Sequence, residues 1–519
     1  MFHDESTHVI KKATTTAVAK RKPRRLNASG PSTRGVTFNF LNGWGDKLDL
    51  VAHNIAPTYQ EQGIAFFFSR YVAADKGCFQ NYDFIYDLWR PPNDLMNPDP
   101  ITSGITAVGL AGLAKAIGCE KTMTRARQCY GAALQRTNAA LRDPAQAVTD
   151  ASMLSVLLLA TYEFMSGKTP QTMEAWRNHV NGAAAVAVMR GKEQFGTYGG
   201  VRMFILLSIS VLVSCVQSGL PIPDPIIKLR RDLVAMGMIN QPANLIVELL
   251  AETLQLRHDI EHGKLTGRDE IISKLTEMDE KFDKAIADLP CRFFYRVVRL
   301  STPHKALFGD SCHVYPGLTP ATTWNLIRTM RILIQESIID QICKDRTEQT
   351  CCKYQPMMVK AIRMIRILSD AIVASVPQHF GVINWESTVE AQAVAPGVAM
   401  AEDVFTTEGI RERYENAPIL MDPELTRYGA DSARFLNLVT SSDALIWPLY
   451  ILGMSSTCCE EMREFVVDRL NDIFLDTGVA QAKEVSELVK LQKGKMNTWA
   501  RSSLLFSVLL PAHSLPALL

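Results

Sequence analysis

The chain has 519 residues, of which 47% are hydrophobic and 21% are charged. This balance is typical of a globular protein and excludes disorder for most of the chain. The net charge is +1, but residues 1–35 hold eight Lys or Arg against Asp4 and Glu5, so a +6 arm precedes a −5 body. Such an arm predicts a polyanion or an import receptor as its partner.

Two regions follow from composition: a disordered basic arm at 1–35 and one all-helical domain at 36–519. The arm contains the run Lys20, Arg21, Lys22, Arg24 and Arg25. Five charges in six residues can contact phosphates without sequence preference or serve as a nuclear import signal. A solvated tail without a partner is the alternative interpretation.

The helical period dominates after Asp46. A first buried stripe consists of Tyr130, Ala133, Leu134, Thr137 and Leu141. Asp143-Pro144 should end that helix, because the residue before proline disfavours the α conformation. Thr149 or Asp150 should cap the next helix, which is apolar on most sides from Met153 to Phe164 and therefore predicted to be central.

The run Met203–Val216 is nearly all apolar but only about fourteen residues long, which favours a buried core helix over a bilayer crossing. We therefore expect no membrane partner. Later helices show Leu326, Met330, Leu333 and Ile334 on one face, with Arg328 and Gln335 on the other side. Val466, Leu470 and Ile473 align similarly, with Arg469 and Asp472 turned outward.

Strand signals are poor, and residues 35–40 are the best candidate. The predicted class is all-α, a large multi-helix array of packed antiparallel helices. A long irregular connection at about 384–429 and a shorter break near 301–320 are interpreted as loops of the same domain.

Motifs for catalysis or metal binding are weak. His258 and His262 have the spacing of a zinc pair on one helix face, but Asp259 stands where the catalytic Glu would be, and exposed surface residues are the favoured interpretation. Gly167-Lys168-Thr169 resembles the end of a phosphate-binding loop but lacks its earlier glycine and strand. Eleven cysteines at irregular spacing predict free thiols in a reducing compartment. We predict no enzyme, no metal and no cofactor in this chain; a helical terpene-synthase-like enzyme would need an Asp-Asp-x-x-Asp motif, which is absent.

Several segments, in order along nearly the whole chain, resemble the regulatory region of fungal Zn2Cys6 transcription factors, the fungal-specific transcription factor domain. They include Trp176-Arg177-Asn178-His179-Val180-Asn181-Gly182-Ala183 and Ile446-Trp447-Pro448-Leu449-Tyr450. The residues matching that pattern are Tyr130, Asp150, Tyr162, Glu163, Trp176, His179, Gly182, Arg190, Gly191, Trp324, Arg328, Pro377, Trp447 and Pro448.

These landmarks have the character of scaffold. Trp176, His179 and Gly182 would let one helix approach another closely, and Arg190-Gly191 would end that helix with a cation and a glycine cap. We interpret His179 as a hydrogen-bonded core residue rather than a metal ligand.

The resemblance implies a nuclear regulator that controls metabolic or secondary-metabolite genes transcribed by RNA polymerase II. It implies as partners the transcription machinery or another regulator, a homodimer, and a small-molecule effector. The family's DNA reader is a six-cysteine cluster with two zinc ions, but here no Cys precedes Cys78 and no Cys-x-x-Cys occurs. Either the start is shortened and DNA is bound through a cluster encoded upstream, or the chain is a cluster-less co-regulator that contacts another transcription factor.

Overall fold

A computed structural model describes residues 57–72, 82, 84–91, 98–166, 170–239, 241–344, 348–383, 385, 419–421, 438 and 445–492. The basic arm at 1–35 and the strand candidate at 35–40 lie outside the described residues, as does most of the connection at 384–429.

Within these residues the chain forms sixteen α-helices. They are α1 Tyr59–Tyr71, α2 Ile85–Leu88, α3 Pro100–Ile117, α4 Glu120–Arg142, α5 Pro144–Ala147, α6 Asp150–Ser166, α7 Pro170–Arg190, α8 Tyr198–Ser218, α9 Asp224–Ala235, α10 Gln241–Glu261, α11 Arg268–Ala287, α12 Leu318–Cys343, α13 Glu348–His379, α14 Leu445–Met454, α15 Glu460–Thr477 and α16 Ala480–Gln492. Short 3-10 turns span Gly191–Gly196 and Cys291–Phe293. The predicted all-α class is confirmed.

Local signals set several helix ends where the sequence predicts them. Helix α4 ends at Arg142, directly before Asp143-Pro144. The Thr149 hydroxyl accepts a hydrogen bond from the Ser152 amide at 3.2 Å and so caps α6. Helix α7 ends at Arg190, and Gly191 follows with φ +62°, a left-handed conformation that suits glycine.

Neighbouring helices pack mainly as consecutive pairs, with α3 at the centre of the first group. Helix α3 contacts α1, α4 and α6, and the later pairs are α6 with α7, α11 with α12, α12 with α13, and α15 with α16. The backbones of α1 and α3 approach most closely at two glycines, since a Cβ on Gly109 would lie 1.8 Å from the Gly63 carbonyl oxygen. The two helices can therefore cross this closely because neither glycine has a side chain at the crossing point.

Two helices are long and apolar enough to cross a bilayer by length and composition, Pro100–Ile117 and Tyr198–Ser218. Their most apolar windows are 72% and 78% buried against the rest of the protein. That burial supports the interpretation of residues 203–216 as part of a core helix.

A small sheet, which the sequence did not predict, interrupts the helices. Strands β1 Arg296–Leu300, β2 Ser311–Val314 and β3 Ile419–Met421 are ordered β2-β1-β3. β1 pairs antiparallel with β2, and parallel with β3 through Val298 and Ile419. The break predicted near 301–320 thus contains β2, and β3 lies within the predicted long connection.

The predicted orientation of Arg469 is wrong. Its side chain is buried, pairs with Asp472 at 3.0 Å and lies over the ring of Phe465. Asp472 is likewise only partly exposed rather than turned to solvent. A charged residue was assumed to face solvent, but an ion pair and an aromatic face compensate the burial of this guanidinium.

The face of α12 opposite its apolar stripe is also buried rather than exposed to solvent. Arg328 and Gln335 lie opposite the apolar stripe, as predicted, yet they are 1% and 5% exposed. Helix α12 is covered on several sides, by α10, α11 and α13.

Lys115 joins the first helices to the last. Its ammonium group donates hydrogen bonds to the carbonyl oxygens of Met165 and Gly478, at the C-terminal ends of α6 and α15. Helix C-termini carry partial negative charge and unsatisfied carbonyls, so one cation satisfies both ends.

Candidate functional site

Three predicted residues from three helices meet in a tyrosine–histidine cluster, formed by Tyr130, Tyr162 and His179. The two tyrosine rings stack with centroids 4.3 Å apart, and the Tyr130 hydroxyl lies 3.0 Å from His179 Nε2. Burial lowers the pKa of His179 to about 4, although part of its side chain stays exposed, and burial raises the pKa of Tyr162. The histidine is therefore neutral at physiological pH and hydrogen-bonded within the helix layer.

The other landmarks of α6 and α7 surround this cluster. Trp176 is buried one turn before His179, with its ring centroid 6.4 Å from that of Phe164. Gly182 is buried one turn after it, and Glu163 is half-buried beside Tyr162. The Trp176–Phe164 ring pair thus joins α7 to α6.

A second group, the Asp150 node, consists of Asp150, Arg190 and Thr197. Arg190, at the end of α7, forms an ion pair with Asp150 at the start of α6, and the Thr197 hydroxyl donates to the other carboxylate oxygen at 3.1 Å. The carboxylate stabilises a helix N-terminus and the guanidinium a helix C-terminus. Two residues that are 40 positions apart in sequence thus fasten α6 to α7 at one end.

The third group, the arginine cluster, centres on Arg328 beneath the small sheet. Its guanidinium donates to the Tyr315 hydroxyl at 2.6 Å and to the Ala371 carbonyl at 3.1 Å, and lies over the rings of Trp324 and Tyr295 at 5.3 and 5.4 Å. These contacts hold a buried cation among aromatic faces and hydrogen-bond acceptors.

Of the C-terminal landmarks, Pro377 lies in the same part of the structure as the arginine cluster. Pro377 is buried within α13, and the adjacent Gln378 exchanges two hydrogen bonds with the Tyr315 backbone, at 2.7 and 2.8 Å. Trp447 and Pro448 are buried in α14. Both residues are part of the buried core.

One turn beyond Arg328 lies a buried ion triad, formed by Arg331, Asp279 and Asp283. Arg331 Nε and Nη2 contact the two Asp279 oxygens at 2.7 and 3.0 Å, and Nη1 contacts Asp283 at 2.7 Å. Burial alone would lower the pKa of Arg331, but the two carboxylates together raise it. Sequence reasoning missed this triad; two arginines three residues apart in an apolar helix were the available signal, because buried cations require partners.

Of the two histidines predicted to be exposed, His262 is exposed but His258 is half-buried, and both lie beside an open groove. His258 and His262 have ring centroids 3.8 Å apart at the end of α10, and in the described part of the chain no three His, Cys, Asp or Glu side chains converge to hold a metal ion. The groove between α10 and α11 measures about 410 Å³ and is lined by Glu252, Gln255, Leu256, Asp259, Lys264, Leu265 and Lys274. Gly167-Lys168-Thr169 and the basic run Lys20–Arg25 lie outside the described residues.

Eight described cysteines are all free thiols, among them buried Cys215 and Cys312. Burial raises the pKa of Cys215 to about 11 and that of Cys312 to about 12. Such thiols are protonated and unreactive at neutral pH, as expected of core residues.

Among protein families, the model of the fungal specific transcription factor domain matches residues 93–291. No curated protein and no solved structure matches the chain. The matched segment runs from the approach to α3 through α11 and contains the tyrosine–histidine cluster and the Asp150 node, whereas the arginine cluster lies beyond it.

Proposed function

We propose that this chain, whose residues 93–291 match the model of the fungal specific transcription factor domain, regulates transcription in the nucleus as a helical regulatory module. The family match is the observation that carries the proposal. Because the matched model describes a transcription factor domain, we propose a regulator rather than an enzyme. The finer proposal is that the module controls metabolic or secondary-metabolite genes transcribed by RNA polymerase II.

The buried polar groups support a structural role for the interior of the protein, with its outer helix faces available for contacts. The polar atoms of the tyrosine–histidine cluster and of the ion triad contact residues of other helices, and the Asp150 node joins the ends of two helices. Regulation is then exerted by what the outer helix faces contact. The partners we propose are the transcription machinery or another regulator.

A reporter assay tests this proposal directly. The full chain is fused to an unrelated DNA-binding domain, and expression from a promoter carrying that domain's site is measured. We expect a change of several-fold in either direction. The matched control is a fusion carrying Arg331→Met, which should lose the effect in proportion to its loss of folded protein. An unchanged reporter with a nuclear, folded fusion would contradict the proposal.

The basic run is proposed to direct import. Replacing Lys20, Arg21, Lys22, Arg24 and Arg25 with alanine removes five positive charges from the arm. A fluorescent fusion should then shift from the nucleus to the cytoplasm. Retention of the variant in the nucleus would assign import to another segment.

A second candidate function is that of a co-regulator acting through another transcription factor, and it concerns these 519 residues, which contain no Cys-x-x-Cys motif. It predicts that the chain itself binds DNA weakly and without zinc dependence, because the two zinc ions belong to a six-cysteine cluster. A gel shift at physiological salt that shows sequence-specific, zinc-dependent binding would exclude this candidate.

A small-molecule effector is the remaining part of the proposal. The groove between α10 and α11 offers two carboxylates, Glu252 and Asp259, and two ammonium groups, Lys264 and Lys274. All four already form ion pairs: Lys264 with Asp259 at 2.9 Å, Glu252 with Lys281 at 3.3 Å, and Lys274 with Glu270 at 3.7 Å. A ligand there would have to compete with these pairs, so calorimetric titration should show binding weakened by salt.

A further inference from the structure

Two histidine rings meet at the C-terminal end of α10. His258 lies in the last turn of the helix, and the amide of His262 still donates to the His258 carbonyl oxygen at 3.0 Å, so the helical geometry reaches both residues. Their ring centroids are 3.8 Å apart, with 33° between the ring planes. Histidines at i and i+4 on one helix face can share a metal ion. The sequence alone favoured exposed surface residues, whereas the structure brings the two rings into contact.

The hydrogen bonds of the pair leave a nitrogen of each ring available. Nδ1 of His262 lies 2.9 Å from the His258 carbonyl oxygen and donates to it. That bond places the proton on Nδ1 and the lone pair on Nε2, which is the arrangement of most metal-binding histidines. Within the described part of the chain, Nδ1 of His258 has no hydrogen-bond partner, so turning this ring toward an ion breaks no hydrogen bond of that nitrogen.

The end of the helix favours a cation beside the two rings. Helix α10 ends at Glu261, and Gly263 follows in the left-handed conformation with φ +69°. The carbonyl groups of a last helical turn carry partial negative charge. Glu261 is exposed between the two histidines, and Lys264, the next cation along the chain, is held by Asp259 at 2.9 Å.

The other histidines of the described residues offer no such pair. Nε2 of His179 lies 3.0 Å from a tyrosine hydroxyl, and Nδ1 of His304 accepts a hydrogen bond from a backbone amide at 3.0 Å. His313 and His379 are 0% exposed. His304 is half-buried in the connection between β1 and β2 and therefore provides a matched control.

We propose that His258 and His262 form a binding site for a divalent transition-metal ion that prefers imidazole ligands, such as Zn²⁺. One nitrogen of each ring binds the ion. In the described part of the chain no group of three His, Cys, Asp or Glu side chains converges, so the remaining positions around the ion are open to water. The site is independent of the proposed function.

Calorimetric titration of the purified, untagged full chain with Zn²⁺ tests the site. We expect His258→Asn and His262→Asn each to lower the association constant of one zinc equivalent at least about 10-fold, because loss of a second-shell partner alone typically costs 10- to 100-fold. The control His304→Asn removes an imidazole far from α10 in the sequence and should bind zinc like the wild type.

Hydrogen exchange gives a readout confined to the helix end. An ion that links residues 258 and 262 should slow amide exchange in the last turn of α10 in the wild type but in neither variant. Circular dichroism verifies folding; if His258→Asn is unfolded, the exposed His262→Asn carries the same expectation. A wild type that binds no zinc, zinc binding that survives both substitutions, or an equal loss in the His304 control would overturn the proposal.

Discussion

Replacing Arg331 with methionine tests the buried ion triad most directly. Arg331 is 0% exposed and is held by three contacts of 2.7 to 3.0 Å to Asp279 and Asp283. Methionine fills a similar volume but leaves two carboxylates without their cation. Removing one member of a buried ion pair typically costs about 3–5 kcal/mol, and we expect a loss of that size in the free energy of unfolding at pH 7.

Urea unfolding followed by tryptophan fluorescence measures this loss, because Trp324 lies two turns away on the same helix. With a urea dependence of about 3 kcal/mol per molar, the midpoint should fall by about 1 M or more. The variant Arg331→Met, Asp279→Leu removes the most buried carboxylate as well and should regain at least half of the loss. Asp283 is 31% exposed at its side chain and can turn toward water.

The pH dependence gives a second, independent signature. Burial already raises the pKa of Asp283, and Arg331 opposes that shift. Without the arginine, the folded-state pKa of Asp283 should rise further above its unfolded value. Protonation of Asp283 then removes its unpaired charge as the pH falls, so the deficit of the variant should shrink between pH 7 and about pH 5. A variant within about 1 kcal/mol of wild type at pH 7, or a deficit that is constant with pH, would refute this reasoning.

Three further predictions concern packing and titration. Gly109→Ala should lower the thermal midpoint and cost about 1–3 kcal/mol of stability, because the new Cβ would lie 1.8 Å from a carbonyl oxygen of α1. Gly131→Ala has nothing within 4 Å of its new Cβ and should instead stabilise helix α4 by up to about 1 kcal/mol. Equal effects of the two variants would contradict the close crossing of α1 and α3. Iodoacetamide at pH 8 should label exposed Cys291 well before buried Cys312, whose pKa burial raises to about 12; mass spectrometry of the peptides checks the order, and equal labelling would show an open core. Burial lowers the pKa of His379 to about 4, below its unfolded value, so the unfolded chain binds a proton at a higher pH than the folded chain does. Up to about 3 kcal/mol of stability should therefore be lost as the pH falls from about 6.5 to 4. His379→Phe should flatten this part of the stability curve, and an unchanged curve would count against a buried neutral imidazole.

Local signals made much of the fold predictable. The Asp143-Pro144 stop, the Thr149 cap and the Arg190-Gly191 end act within a few residues of the helix ends they set. The apolar periods likewise depend only on spacing, which explains why the all-α class could be predicted.

The sequence could not show which residues distant in the chain contact one another. Arg331 and Asp279 are 52 positions apart, and the sheet requires β1 to pair with a strand beyond α13. A helical pattern treats Arg469 as a surface residue, because the Lys305 carbonyl that accepts its hydrogen bond and the Phe380 ring beneath its guanidinium are distant in sequence. The same holds for the meeting of Tyr130 with His179.

The bridge made by Lys115 limits how the protein can be divided. The family match stops at residue 291, which invites expression of that segment as a separate module. Such a fragment would keep Lys115 and Met165 but lose Gly478, and it would keep Asp279 while losing Arg331. Its last helices would be left with bare apolar faces and an orphaned carboxylate. The end of the family match is therefore not a folding boundary, and any fragment intended for biochemical work should extend through α16.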